Sequence, residues 1–197
     1  ARTSSRNIMR DLNLTLIQAD LHWQNPAANH ALYDELINES GGSSDLIVLP
    51  EMFSTGFTMN AADNFEDING PSTDWLLATA SRTGAAICGS LIIRDADQFY
   101  NRLLWATPAG EIHTYDKRHL FRMADEQDHY RAGSEKLIVT LGDWRICPLI
   151  CYDLRFPVWS RNQDDYDLLL YVANWPAPRR SAWATLIPAR AVENLCY

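Results

Sequence analysis

No stretch of this chain is apolar for long enough to cross a membrane, and its opening residues, ARTSSRNIMRDLNLTLIQAD, hold basic groups without the apolar core of a secretory signal. Cysteine is scarce: Cys88, Cys147, Cys151 and Cys196 are the four in 197 residues, and no two stand in a CxxC pair or another zinc-ligand spacing. A disulfide framework is therefore not expected, and reduced thiols in a cytoplasmic protein are. Positive charge is also in deficit. Seventeen Lys and Arg against 25 Asp and Glu give a formal net charge of −8. Without a basic stripe to neutralise phosphates, neither nucleic acid nor an anionic membrane surface fits as a partner, and a small molecule does. The five histidines form no HxH or HxxxH pair that would suit a metal. Internal repeats, low-complexity tracts and linkers are missing too.

What is present is enough apolar material, 47% of residues with 11% aromatic, for one substantial core, so residues 1–197 are expected to form a single domain. Strands and helices take turns. LNLTLIQA (12–19) alternates like a strand, and the segment after it has Asn25 as N-cap, Pro26 at the first helical position and Gly41-Gly42 at the end. DLIVLPE (45–51) is a short continuous apolar run, as in a strand covered on both faces. GPSTDWLLATASRTG predicts a second helix stopped by Gly84, and AAICGSLIIR the next strand. FYNRLLWATP and EIHTYDK, joined through PAGE, predict a hairpin. After a polar loop from Arg118 to Gly133, KLIVTLGDWRICPLIC predicts a pair turning at Gly142-Asp143. A helical stretch, the buried strand DLLLYVAN and a final helix over RRSAWATLIPARAVENL follow. Pro188 inside that helix costs about 3 kcal/mol in a regular interior, which predicts a kink or an early end. The pattern is that of a mixed-sheet α/β layer protein.

Three strand ends carry reactive side chains: Glu51 after IVLP, Lys117 after HTYD and Cys151 after CPLI. Loops at strand ends are where α/β folds gather function. A thiol can attack a carbonyl carbon, a carboxylate can take its proton and return it to a departing amine, and an ammonium can stabilise the oxyanion. Taken singly, each has a plainer reading as a solvated end residue, a surface charge or an inert core cysteine.

Their surroundings reverse that balance. LPEMFSTGF around Glu51, YDKRHLF around Lys117 and ICYDLRFP around Cys151 resemble, in order and in flanking residues, the Glu-Lys-Cys pattern of the carbon–nitrogen hydrolase, or nitrilase, superfamily. The likeness runs from the first strand to RAVEN, and YDKRHLFRMADEQDHYRAG and YVANWPAPR look most like its bacterial omega-amidase branch. The resemblance implies a four-layer α-β-β-α sandwich and a hydrolase of carbon–nitrogen bonds other than peptide bonds. It implies Cys151 as nucleophile, Glu51 as general base and acid, and Lys117 with the Tyr152 N–H as oxyanion donors. Glu126, seven residues before Gly133, occupies the place of the family's second glutamate. The implied substrate is a small omega-amide such as 2-oxoglutaramate, cleaved to acid and ammonia through a thioester, without metal or organic cofactor.

Phe53, Phe57, Tyr152 and Trp175 are candidates for an aromatic wall, and Arg179 for the partner of a substrate carboxylate. Arg155 is expected to pair with Asp153 or a nearby carboxylate. His119 and His129 raise a second scheme of the Cys-His type, ranked below the first because it has no need of the glutamate and lysine in their matched contexts. The resemblance also implies a homodimer through the elements bearing Trp159 and Trp183, and further strands beyond Tyr197, so the domain is expected to be incomplete at its C-terminal end. A non-catalytic scaffold of the same fold, or a related amidase or N-carbamoyl hydrolase, stays open as the alternative.

Overall fold

The computed structural model describes residues 10–40 and 43–197. Strand β1 (Leu14–Leu16) leads into helix α1 (Pro26–Ser40), where Asn25 acts as N-cap by accepting the Ala28 N–H on Oδ1 at 3.1 Å. The two glycines expected to end this helix lie outside the described residues. Strand β2 (Leu46–Val48) is followed by a buried turn and the short helix α2 (Ala61–Asn64), then helix α3 (Pro71–Thr83). Gly84 ends α3 in the left-handed conformation, φ 71°, donating its N–H to the Ala80 carbonyl, a geometry that favours glycine.

Strands β3 (Ala86–Asp95), β4 (Gln98–Ala106) and β5 (Ile112–Asp116) complete a five-stranded sheet in the order β1-β2-β3-β4-β5. Its first three strands are parallel and its last two pairings antiparallel. The β3–β4 turn puts both Ala96 and Asp97 at positive φ, the backbone of a tight hairpin although neither is glycine. Helix α4 (Glu126–His129) interrupts the polar loop after β5. Strands β6 (Val139–Leu141), β7 (Trp144–Ile150) and β8 (Leu168–Val172) form a second sheet, with β7 and β8 parallel. Between β7 and β8 lie a 3₁₀ turn over Cys151–Arg155 and helix α5 (Pro157–Ser160). Helix α6 (Arg180–Asn194) continues past Pro188, so the early end expected there does not occur. Arg190 supplies anchorage beyond the proline, since its buried guanidinium donates to the Leu154 carbonyl at 2.9 Å.

The alternation of the strands builds two cores. One face of the first sheet, with Leu46, Val48, Cys88, Leu103 and Trp105, meets Ile146, Leu149, Leu168 and Leu170 of the second. The opposite face, with Ile47, Ile87, Leu91 and Leu104, is covered by Tyr33 and Ile37 of α1 and Leu76 and Ala80 of α3. Helices outside paired sheets are the layer order expected from the sequence. Among the described residues no helix is long and apolar enough to cross a membrane.

Candidate active site

Glu51, Lys117 and Cys151 each stand one to three residues past the end of β2, β5 and β7, so the sandwich delivers all three to one edge. Cys151 is the first residue of the 3₁₀ turn and has φ 43°, a left-handed conformation that costs a non-glycine residue about 1 kcal/mol or more. Buried Asp153 holds the turn there: Oδ2 accepts the Ile150 N–H at 3.1 Å and the Tyr115 hydroxyl at 2.7 Å. Its Oδ1 accepts the His119 backbone N–H at 2.9 Å. The segments carrying Cys151 and Lys117 are thereby tied together.

Lys117 is completely buried between two equally buried carboxylates. Its Nζ lies 2.7 Å from Glu51 Oε1 and 2.8 and 3.1 Å from the two oxygens of Glu126. Burial alone would lower its proton affinity, but the charges of Glu51 and Glu126 outweigh it and keep the ammonium firmly protonated. Burial also raises the pKa of Glu126, with Lys117 opposing and Glu51 adding to the rise. The Cys151 thiol is pushed well up, by burial first and by the charge of Glu51 second, with Lys117 pulling the other way. At rest the sulfur is a thiol. An ammonium has three N–H donors, and Lys117 makes three carboxylate contacts, so a developing oxyanion would have to share or displace the longest of them, that to Glu126 Oε1.

A cavity of about 440 Å³ opens over this group. Of the four residues, only Cys151 lines it; Glu51, Lys117 and Glu126 stand behind. Phe57, Tyr152, Trp175 and Arg179, all singled out from the sequence, are on its wall, with Trp23, Phe121 and Arg155. Two expectations are corrected. Phe53 is fully buried against Tyr33 and Trp75 in the outer core, because Met52 at φ 47° turns the chain back beneath β3. Arg155 does not pair with Asp153, whose oxygens are filled by other donors; it faces the cavity over the Trp175 ring at 5.3 Å.

Two asparagines went unnoticed in the sequence. Asn174, just past β8, donates its N–H to Glu51 Oε2 at 3.0 Å and its side-chain amide to the Glu51 carbonyl at 2.9 Å. Its own carbonyl is 4.0 Å from Cys151 Sγ. Asn101, inside β4, donates from Nδ2 to both glutamates. Nothing local marked it, since Asn101 stands next to Arg102 in a strand that also contains Gln98. His119 turns Nδ1 to Asp153 at 2.8 Å and stacks on Phe156, and His129 is exposed at the end of α4. Neither forms the pair with Cys151 that the second scheme required. Among the described residues no three His, Cys, Asp or Glu side chains are grouped as they would be to hold a metal ion.

The carbon-nitrogen hydrolase family model matches residues 13–197, and the chain belongs to that family. It is a hydrolase acting on carbon–nitrogen bonds other than peptide bonds. Within the family its likeness is to omega-amidases. It is 54% identical to omega-amidase YafV of Yersinia enterocolitica over 192 residues, 96% of this chain and 73% of that protein. It is 35% identical to the 2-oxoglutaramate amidase of Bacillus subtilis, over 93% of this chain and 73% of that one. A carbon–nitrogen hydrolase superfamily protein from Xanthomonas campestris, solved with an arsenic adduct in its active site, superposes with a TM-score of 0.92 at 49% identity, covering 95% of this chain and 74% of that one.

Proposed function

We propose that this protein hydrolyses the terminal amide of small omega-amides, 2-oxo acid monoamides such as 2-oxoglutaramate among them, by acyl transfer to Cys151. The observation that carries this is the order of burial: a thiol facing the cavity, with a carboxylate–ammonium–carboxylate cluster sealed behind it. Glu51 takes the thiol proton as the sulfur attacks the amide carbon. One N–H of Lys117, released from its 3.1 Å contact with Glu126, and the N–H of Tyr152, in a first turn whose N–H groups lack acceptors within it, hold the tetrahedral oxyanion. Glu51 returns the proton to the nitrogen, ammonia leaves and a thioester remains. Water activated by Glu51 then releases the acid and restores the thiol, so one water is consumed for each ammonia formed. Glu126 fixes Lys117.

The names of the two curated relatives support the substrate class. So do Arg155 and Arg179, two cations on a cavity wall that carries one acidic residue, Asp20, which suit a carboxylate at the far end of a short amide. The test is ammonia release from 2-oxoglutaramate. Cys151→Ala is expected to abolish it and Cys147→Ala, deep in the inter-sheet core, to leave the chemistry intact. Turnover by Cys151→Ala at the parent rate would overturn the assignment.

A further inference from the structure

Asn101 is fully buried in β4 and does not line the cavity, yet it touches every charged member of the cluster behind Cys151. Its Nδ2 lies 2.9 Å from Glu51 Oε1 and 3.1 Å from Glu126 Oε1, and its backbone carbonyl accepts the Lys117 N–H at 3.0 Å. Its Oδ1 is buried and, among the described residues, has no hydrogen-bond partner. The amide cannot be turned the other way round: two carboxylates that share one ammonium are acceptors, and an oxygen in place of Nδ2 would face both. A side chain kept for packing would not retain an orphaned buried acceptor, which is itself costly. The donor is what this position supplies.

We infer that Asn101 is a positioning residue for the hydrolytic reaction, a neutral bridge that holds Glu51 and Glu126 together as ionised carboxylates on either side of Lys117. Without it the two carboxylates share only the ammonium, which must also serve the oxyanion. With Oε1 of Glu51 taken by Lys117 and Asn101, Oε2, which among the described residues accepts the Asn174 N–H alone, is the oxygen left for the thiol proton. Among the described residues, the charged and titratable groups facing this carboxylate pair are Lys117 from the end of β5, Cys151 from the turn after β7 and Tyr130 from beyond α4.

The role rests on the amide-hydrolase reading, so its test has one arm that uses substrate and one that does not. Asn101→Leu keeps the volume and removes the donor. Asn101→Asp keeps the shape and adds a third carboxyl group, and it carries the comparison should the leucine variant not fold. The expected result is a fall in kcat of about ten- to a hundred-fold, the range for one charge-assisted hydrogen bond, with KM held within about two-fold. The acid limb of the rate profile should move to higher pH, further for Asn101→Asp, because both changes favour a protonated carboxyl. In the second arm, the infrared band of protonated carboxyl groups is followed against pH with no substrate present, and it should persist to higher pH in both variants. An acid limb and an infrared titration that match the unsubstituted protein, or a loss confined to KM, would overturn the role. If the unsubstituted protein releases no ammonia, the infrared arm still decides the point.

Discussion

Burial and the charge of Glu51 raise the proton affinity of Cys151 above that of an ordinary cysteine, and Lys117 reduces that rise without cancelling it. The sign follows directly: a raised value means protonated sulfur at neutral pH, with the thiolate fraction growing as pH climbs through and past the usual thiol range. Alkylation of Cys151 by iodoacetamide without substrate is therefore expected to keep accelerating from pH 7 to pH 9; a rate already level at pH 7 would indicate a resting thiolate. Cys147 is pushed up to about 12, chiefly by burial, with Lys136 opposing the rise, and gives the inert comparison. Such a thiol needs a base at hand, which is the part proposed for Glu51. The residues proposed for the reaction stood out in the sequence, since Glu51, Lys117, Glu126 and Cys151 come with recognisable neighbours. Asn101 and Asn174 were not, because an asparagine in or just after an apolar strand looks the same whether it caps, packs or bridges two carboxylates.

At the level of elements, the site depends on how closely the loop after β5 lies against the strand that carries Lys117. Gly133 donates its N–H to the Lys117 carbonyl at 3.0 Å, and a Cβ on it would stand 2.3 Å from the Asp116 carbonyl oxygen. That contact is with backbone, which cannot swing away. Gly133→Ala is expected to destabilise the fold by about 1–3 kcal/mol, the usual cost of overpacking, and to lower kcat by displacing Lys117. Equilibrium denaturation and steady-state kinetics together check it, and an unchanged midpoint with unchanged kcat would contradict it. Most elements were legible from periodicity and caps: Asn25-Pro26 opened α1 and Gly84 closed α3 as read. The β3–β4 hairpin was not, because Ala96 and Asp97 adopt the left-handed turn without the glycine that normally marks it. Phe53 was misplaced for a related reason, the positive φ of Met52, which no local composition announces.

For the whole molecule, the two sheets explain why distant segments meet: residues 51 and 117 follow β2 and β5 of the first sheet, and its stacking on the second brings residue 151, at the end of β7, to the same edge. That stacking was legible through the family likeness and not through periodicity, which gives strands but not their partners across a core. Beyond one chain, exposed Val158 on α5 and Val192 on α6, on the elements that carry Trp159 and Trp183, suit an interface between copies, so light scattering is expected to give the mass of a homodimer. A monomer at high concentration would contradict that. The central claim, an acyl group carried on Cys151, is tested most directly by partitioning. With an omega-amide or the matching omega-ester as substrate and hydroxylamine competing with water, both should give the same ratio of hydroxamate to acid, because both pass through one thioester. A ratio that depends on the leaving group would contradict it.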